Sequence, residues 1–340
     1  AAFQRGLKVT FHYERASFDP HFAKARMQGH RGELFSISNG TRTHVFSRTL
    51  GDLTDPAANA IAEDKHLTKA ALKSAGVRTP EGIVVDKGQT ALIEKFLAQH
   101  PGKRFVVKPF DGSLGRDVYT DLTSEQVFAA IDSIKSGRLV VEEFIAGKEY
   151  RAFIADAVYV ASISRVPPNV IGDGSRSIKQ LIHAKNEERS NNPRLSSNTI
   201  QELDAVAAHL KRTELTLETV PSSGQRVDLL PTASISRGGD PQDTKQSAPE
   251  VLGQVAVAAC KAIGLSVSGL DVIIAQQGGQ SVGYVIELNQ RPHIGSHSFP
   301  MEGPGQGNAV AEAIVDYYFP ETIHDRTHAN LAYDFAPIRA

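Results

Sequence analysis

From Asp64 onward the apolar positions change period several times, and each change marks an element. The stretch DKHLTKAALKS sets Leu67, Ala71 and Leu72 on one helical face, with Asp64 as N-cap and Gly76 as the stop. Then IVV (83–85), the helix ALIEKFLAQH (91–100), FVVKP, the helix SEQVFAAIDSIKSG (124–137) and LVVEEFI (139–145) give strand–helix alternation. A meander follows: EYRAFIAD, a tight turn, then VYVASISRV, together spanning 149–166. Pro167 to Ser247 is polar and interrupted by helices near 176–189 and 199–210, so a mobile covering element rather than core is expected there. An almost wholly apolar helix (Pro249–Ile263), a hairpin within Gly269–Pro292, a glycine-rich loop (Gly295–Gly307) and a helix over 308–319 complete the pattern. Before Asp64 only LKVTFHY (Leu7–Tyr13) has a strand pattern, and the remaining apolar patches fix no fold.

Two of these segments carry candidate chemistry. In RFVVKPFDGSLGRDV, Lys108 ends an apolar strand ahead of a loop containing Gly112 and Gly115. In the late hairpin, Glu287 and Asn289 are two apart in a strand and share a face. A turn centred on Gly279 sets Asp271 across from Glu287, so three oxygen-bearing side chains converge. Such a set suits a hard cation opposite a phosphate-binding lysine, which points to nucleotide chemistry. An acidic hairpin could instead face water, but Leu270, Val272, Val285, Ile286 and Leu288 oppose a wholly solvated sheet.

Composition narrows the classes. At 340 residues the chain accommodates two domains, or one large domain with a lid. A hydrophobic content of 41% and an aromatic content of 7% are ordinary for a globular α/β protein. The formal net charge of −1 argues against a general nucleic-acid binder. The single cysteine, Cys260, lies in an apolar run and reads as a small buried residue. No apolar stretch reaches the roughly 18 to 20 residues that cross a bilayer, and no signal core opens the chain, so a cytoplasmic protein without membrane contact is expected. The first residue is not methionine, as expected of a processed chain or an excised piece.

Eight stretches in consecutive order resemble the ATP-grasp superfamily of carboxylate–amine ligases. They are EDKHLTKAALKSAGVRTPEG, VVKPFDGSLGRDV, VVEEFIAGKEYR, SRVPPNVIGDGSRSIKQLI, LTLETVPSSGQRVDLLPTASISRGGD, GLDVI, IELNQRP and EGPGQGNAVAEAIVDYYFP. The likeness is greatest to the ATP-grasp domains of cyanophycin synthetase and bifunctional glutathione synthetase. It implies a mixed α+β and α/β fold in which two α/β subdomains hold ATP between them. The N-terminal subdomain is expected at 64–139 with a glycine-rich phosphate loop. The C-terminal subdomain is expected at 140–323 with the metal site and a lid at 167–247. Residues 1–63, an N-terminal segment expected as a truncated form of the domain that precedes ATP-grasp units, and a tail at 324–340 flank them.

The resemblance also implies roles. Lys65 and Lys108 match lysines that hold ATP phosphates; Lys65 follows the N-cap, where the helix dipole disfavours a cation, so it is either solvated or kept for an anion. The loop Asp111–Arg116, with Gly112, Ser113 and Gly115, either folds over the β- and γ-phosphates or is a plain hairpin loop. Glu142, Glu143, Phe144 and Ile145 match the linker that receives adenine, and Glu149 the acid that binds ribose. Arg151 matches a γ-phosphate contact, with an ordinary cross-strand ion pair as the alternative, and Arg165 matches an arginine on the acyl phosphate. Arg237 stands where relatives often carry a small hydroxyl residue, and adds a substrate or phosphate contact. Asp271, Glu287 and Asn289 match magnesium ligands. Arg291 is placed to take the carboxylate of an incoming amino acid, and His293 or His297 to line the substrate pocket. Lys185, Arg189 and Arg194 read as a solvated charged helix.

The implied activity joins a carboxylate to an amine through an acyl phosphate, releasing ADP and phosphate. ATP and Mg²⁺ (or Mn²⁺) are the implied cofactors, amino acids or small peptides the substrates, and a homodimer is left open. Two other readings stand beside it: a nucleotide-binding module without turnover in a larger assembly, and a small-molecule phosphotransferase. No Mur-ligase-like domain of the cyanophycin type follows Pro320 in this sequence, and no cysteine–glutamate ligase precedes, so neither relative's substrate is inherited.

Overall fold

The computed structural model describes residues 1–12, 34–110 and 117–323. Strands β1 (Lys8–Phe11), β2 (Leu34–Ser38), β3 (Thr43–Ser47) and β4 (Leu50–Gly51) form an antiparallel meander. Helices α1 (Pro56–Glu63) and α2 (Lys65–Ser74) follow, each opened by an aspartate whose side chain accepts from the first-turn N–H groups. In α2, Leu72 is buried as its spacing predicts, but Leu67 is exposed and Thr68 takes the inward position.

The smaller subdomain comprises β5 (Gly82–Asp86), α3 (Thr90–Gln99), β6 (Phe105–Pro109), β7 (Tyr119–Leu122), α4 (Ser124–Ser133) and β8 (Arg138–Glu143). Its four strands lie in the order β5-β8-β6-β7. Alternation sorts the faces: Phe105, Val107, Leu139 and Val141 pack under α3 and α4, leaving Lys108, Val140 and Glu142 to the opposite side. Helix α4 stops at Ser133, short of the stretch its apolar period predicts.

The larger sheet holds β9 (Lys148–Ala155) and β10 (Val158–Val166), joined by a two-residue turn at Asp156-Ala157. The chain then leaves the sheet through β11 (Asn169–Ile171), α5 (Ile178–Asn191), α6 (Leu203–Leu210) and β12 (Arg226–Asp228). It returns as β13 (Asp240–Asp243), α7 (Glu250–Ile263), β14 (Val267–Gln277), β15 (Gln280–Asn289), the short α8 (Gly295–Ser298) and α9 (Ala309–Tyr318). Strand order is β13-β10-β9-β14-β15, antiparallel throughout. Tyr150, Ala152, Ile154, Leu270, Val272 and Ile274 pack beneath α7, where Cys260 is buried and its thiol pushed up to about 12 by desolvation. Phe153, Ala155 and Val267 meet α9 and the N-terminal sheet on the other face. Residues 1–12 and 34–51 are thus seated on the domain; Phe46 packs against Tyr318 with ring centroids 4.6 Å apart.

The covering region departs from its expectation. It has a core of its own, in which Val170, Ile178, Leu181, Ile200, Val206, Leu210 and Leu229 are all buried. Nor are its basic residues all solvated. Arg189 and Asp240 are both 0% exposed and pair at 2.5 Å, and Lys185 reaches the same carboxylate at 2.5 Å. Asn169 Nδ2 also donates to Asp240. Gly238, at φ 93°, lies so close to Ile200 that an added Cβ would come within 2.5 Å of it. Among the described residues, no helix is long and apolar enough to cross a membrane.

Arg189→Met leaves the buried Asp240 carboxylate with one cation, so a loss of about 3–5 kcal/mol is expected. Adding Asp240→Asn should return part of it. Urea melts check both; a loss below about 1 kcal/mol would show that the cluster does not anchor the cover.

Candidate active site

The hairpin turn is Gly278-Gly279, with φ of 57° and 80°, the left-handed pair that a two-residue hairpin requires. It pairs Gln277 with Gln280, and an uninterrupted ladder from there would bring Asp271 opposite Ile286. A bulge intervenes: Val272 pairs with Val285 and Asp271 with Glu287, so Ile286 is the extra residue. The Asp271–Glu287 pairing expected from the sequence is observed, but it arises from an earlier turn plus one inserted residue. The insertion also changes parity, so Val285 and Leu288 both enter the core beneath α7. Glu287 and Asn289 consequently share the face of Asp271.

A row of side chains crosses that face, with Arg151 directly opposite Asp271 and Asp271 opposite Glu287. Arg151 donates to Asp271 in bidentate fashion, both bonds at 2.7 Å, and Arg165 from β10 adds a third at 2.7 Å. Arg165 also lies 3.2 Å from Glu149. Burial alone would raise the Asp271 carboxyl, but the two guanidinium charges and their hydrogen bonds hold it below its ordinary value. Glu149 is raised by desolvation, which Arg165 opposes in part.

Lys65 is the first residue of α2, and its Nζ lies 3.8 Å from Glu287 Oε1. Across the cleft, Glu142 has a side chain only 4% exposed and is paired with Lys108 and, at 2.5 Å, with Lys69. Desolvation pushes its carboxyl up, and the two ammonium groups overcome that and lower it. Lys69 was not anticipated, although its i+4 position from Lys65 on one helical face was visible in the sequence. Lys65, Lys69, Lys108, Glu142, Glu287 and Asn289 all line one cleft of about 260 Å³ between the subdomains.

Other expected positions fall differently. Glu143 pairs with Lys103 at 2.6 Å, and the N–H groups of Glu143 and Phe144 donate to the Glu81 and Arg104 carbonyls. Ile145 is buried. Gly112, Ser113 and Gly115 lie outside the described residues. Arg237 is held by Glu202 within the cover, with bonds of 3.0 and 2.5 Å, and among the described residues no hydrogen bond or ion pair joins it to the Asp271 row. Arg291 is partly buried, 3.9 Å from Glu63, and His293 is exposed. His297 is 1% exposed and edge-on to Phe153, so it is packed in the interior rather than lining an open pocket. Burial pushes its imidazole down to about 4, which keeps it neutral. Arg194 leaves the expected solvated helix as well: it follows α5 and lies against Gly295.

For a divalent cation the donors are oxygen and few. Glu287 is 40% exposed with a single distant partner, and Asn289 has its amide nitrogen buried without one. Asp271 spends three of roughly four acceptor positions on arginines. Among the described residues no cluster of three His, Cys, Asp or Glu side chains forms a metal cage. A hard cation that takes most of its oxygens from phosphates and water fits this sparse set.

The sequence profile of the ATP-grasp domain matches residues 62–295. Cyanophycin synthetase of Trichormus variabilis is 31% identical over 296 residues, 84% of this chain and 32% of that protein. The glutathione biosynthesis bifunctional protein of Enterococcus faecalis is 32% identical over 277 residues, 77% of this chain and 36% of that one. The crystal structure of a bifunctional glutathione synthetase from Pasteurella multocida superposes with a TM-score of 0.67 at 25% identity, covering 85% of this chain and 40% of that one. The chain therefore spans about a third of the length of these curated relatives. Because the match runs from the end of α1, through both subdomains and the bulged hairpin, to the start of α8, the chain belongs to the ATP-grasp family.

Proposed function

We propose that this chain is an ADP-forming carboxylate–amine ligase acting on amino acids or small peptides. The observation that carries the reading is the cleft itself, where Lys65, Lys69 and Lys108 face the bulge-set Glu287 and Asn289. The family membership and the named activities of the relatives support it.

A carboxylate repels nucleophiles and has no good leaving group. In the proposed reaction its oxygen attacks the γ-phosphorus of ATP and ADP departs. The amine lone pair then attacks the acyl carbonyl, phosphate leaves, and the nitrogen loses its proton. Lys65 and Lys108 hold phosphate oxygens; Lys108 exchanges Glu142 for that contact while Lys69 stays to neutralise Glu142. Arg151 and Arg165, oriented by Asp271, offer rigid forks to the transferring phosphoryl group and to the acyl phosphate. Glu142 to Ile145 border the adenine and Glu149 the ribose. Mg²⁺ held by Glu287, Asn289 and the remaining position of Asp271 would screen the triphosphate and orient its γ-group. The cover keeps water from the mixed anhydride.

Incubation with ATP, Mg²⁺ and pooled amino acids and dipeptides should yield an amide, ADP and phosphate, read by mass spectrometry. AMP and pyrophosphate would exclude the mechanism; nucleotide binding without turnover would favour a non-catalytic module, and a stable phosphorylated product a phosphotransferase. Glu287→Gln should lower kcat by about a hundredfold or more with an unchanged melting curve. Lys108→Ala should weaken nucleotide handling similarly, and near-normal activity in either variant would remove that residue from the site. Lys69→Met leaves Glu142 to Lys108 alone, so the KM for ATP is expected to rise by about tenfold, with Lys69→Arg close to wild type.

A further inference from the structure

Buried polar atoms without partners are rare in folded proteins, and of the nine among the described residues four lie in one stretch of chain, with a fifth against it. Among the described residues they include Asn289 Nδ2, Arg291 Nε and both ring nitrogens of His297, together with Nε of Arg194, which lies against Gly295 of the same stretch. All but one nitrogen of the neutral histidine are N–H donors. His297 is sealed in the interior against Phe153, but an unmet, partly buried guanidinium donor calls for an acceptor, best an anionic one.

Of these residues the proposed chemistry uses only Asn289, and Arg194 is the one whose charge is felt beside Arg151. Asn192 fixes its backbone, accepting the Arg194 N–H at 2.9 Å while donating to the Phe299 carbonyl at 3.3 Å. The side chain runs along Gly295, where an added Cβ would meet its Cδ at 2.9 Å. Nη1 donates to Asn198 at 2.7 Å, yet among the described residues no carboxylate pairs with the guanidinium. Desolvation and the nearby Arg151 charge both weigh against its charged form. Arg151 cannot lend a counter-ion, because Asp271 already serves two arginines. A partly buried cation beside another cation is costly until an anion joins it.

We propose that Arg194 binds the non-reacting carboxylate of the amine substrate, making that substrate a free amino acid or a peptide with an open C-terminus. The proposal rests on the ligase reading above. A terminal phosphate is the competing source of negative charge. It is disfavoured because the cleft supplies three lysines of its own for phosphate. A guanidinium fork matches a planar carboxylate, and a substrate anchored there has its amine directed toward Arg151 and the phosphoryl-transfer site.

The test offers wild type, Arg194→Met and Arg194→Lys the pooled amino acids and dipeptides, and the same pool as C-terminal amides, with ATP and Mg²⁺. Wild type should favour the acids by about tenfold or more, Arg194→Met should lose that preference, and Arg194→Lys should retain part of it. The KM for ATP should stay within about twofold of wild type in both variants. A preference that survives in Arg194→Met, or a rise confined to the KM for ATP, overturns the proposal. If neither pool yields product, the ligase reading fails, and the subsite is then read by native mass spectrometry of each pool on the protein with ADP and Mg²⁺. Acid-selective retention that depends on Arg194 upholds it, and equal retention of acids and amides overturns it. Melting curves of the variants confirm that the fold is kept.

Discussion

A strand alternates its side chains, so a two-residue turn fixes the face of every residue that follows it in a hairpin. By that rule Val285 and Glu287 would point the same way, and a carboxylate would be driven under α7 into a core of Leu252, Ala256 and Ile274. Ile286 prevents this. As the extra residue of a bulge it reverses the parity, sends Val285 and Leu288 into the core, and returns Glu287 and Asn289 to the cleft beside Asp271. The rest of the site depends on that displacement, because Lys65 approaches Glu287 only where the bulge has brought it. Strand β15 is the edge of its sheet, where a bulge disturbs one ladder rather than two.

The electrostatics repeat one motif in three places. Asp240, Asp271 and Glu142 are buried carboxylates, and each is joined to two cations. A single partner leaves a buried carboxylate poorly compensated, while a second cation secures it and leaves one positive charge in excess. Exposure decides what that excess can do. Around Asp240, Arg189 is sealed and Lys185 nearly so, and the cluster fastens the cover to β13. Around Asp271 and Glu142 the cations are a fifth to a quarter exposed, so one of each pair can reach an anion in solution while the other keeps the carboxylate compensated. Asp271 and Glu142 have carboxyls held below their ordinary values, so the stability they contribute is present at neutral pH and is lost as pH falls through those lowered values.

Local periodicity carried much of this into the sequence. The inward Leu72 of α2, the strand carrying Lys108 and the sharing of a face by Glu287 and Asn289 depend only on neighbours a few residues away, whereas Leu67, expected on the same helical face, is exposed. What periodicity could not carry was partnership across distance. Arg189 has the sequence context of a solvated helix, and its burial follows from Asp240, which lies far along the chain in a different element. The region 167–247 has a polar average that hid a real core, because its apolar residues are divided among two short helices and two three-residue strands. The N-terminal meander is anchored by Tyr318 and its neighbours, so no window before Asp64 could have revealed it. The bulge leaves no local mark: Ile286 is an ordinary strand residue, and only the conflict between turn and core exposes it.

In the proposed reaction the mixed anhydride must be kept dry, and the construction of the cover suits that task. A loose polar loop excludes water poorly, since its own backbone must be hydrated. Here the backbone is organised into α5, α6 and a small two-stranded sheet, and the apolar side chains face inward to one another. Asp240 ties the end of this unit to the large sheet, and Gly238 lets its loop close on Ile200 without a side chain between them. Asn192 ties its middle to the chain after α8. In a cover built this way the position of Arg194 near Arg151 is set by the cover's core and anchors as well as by the side chain itself. On the proposed role of Arg194, selectivity for an anionic substrate end would then depend on how the cover is fastened.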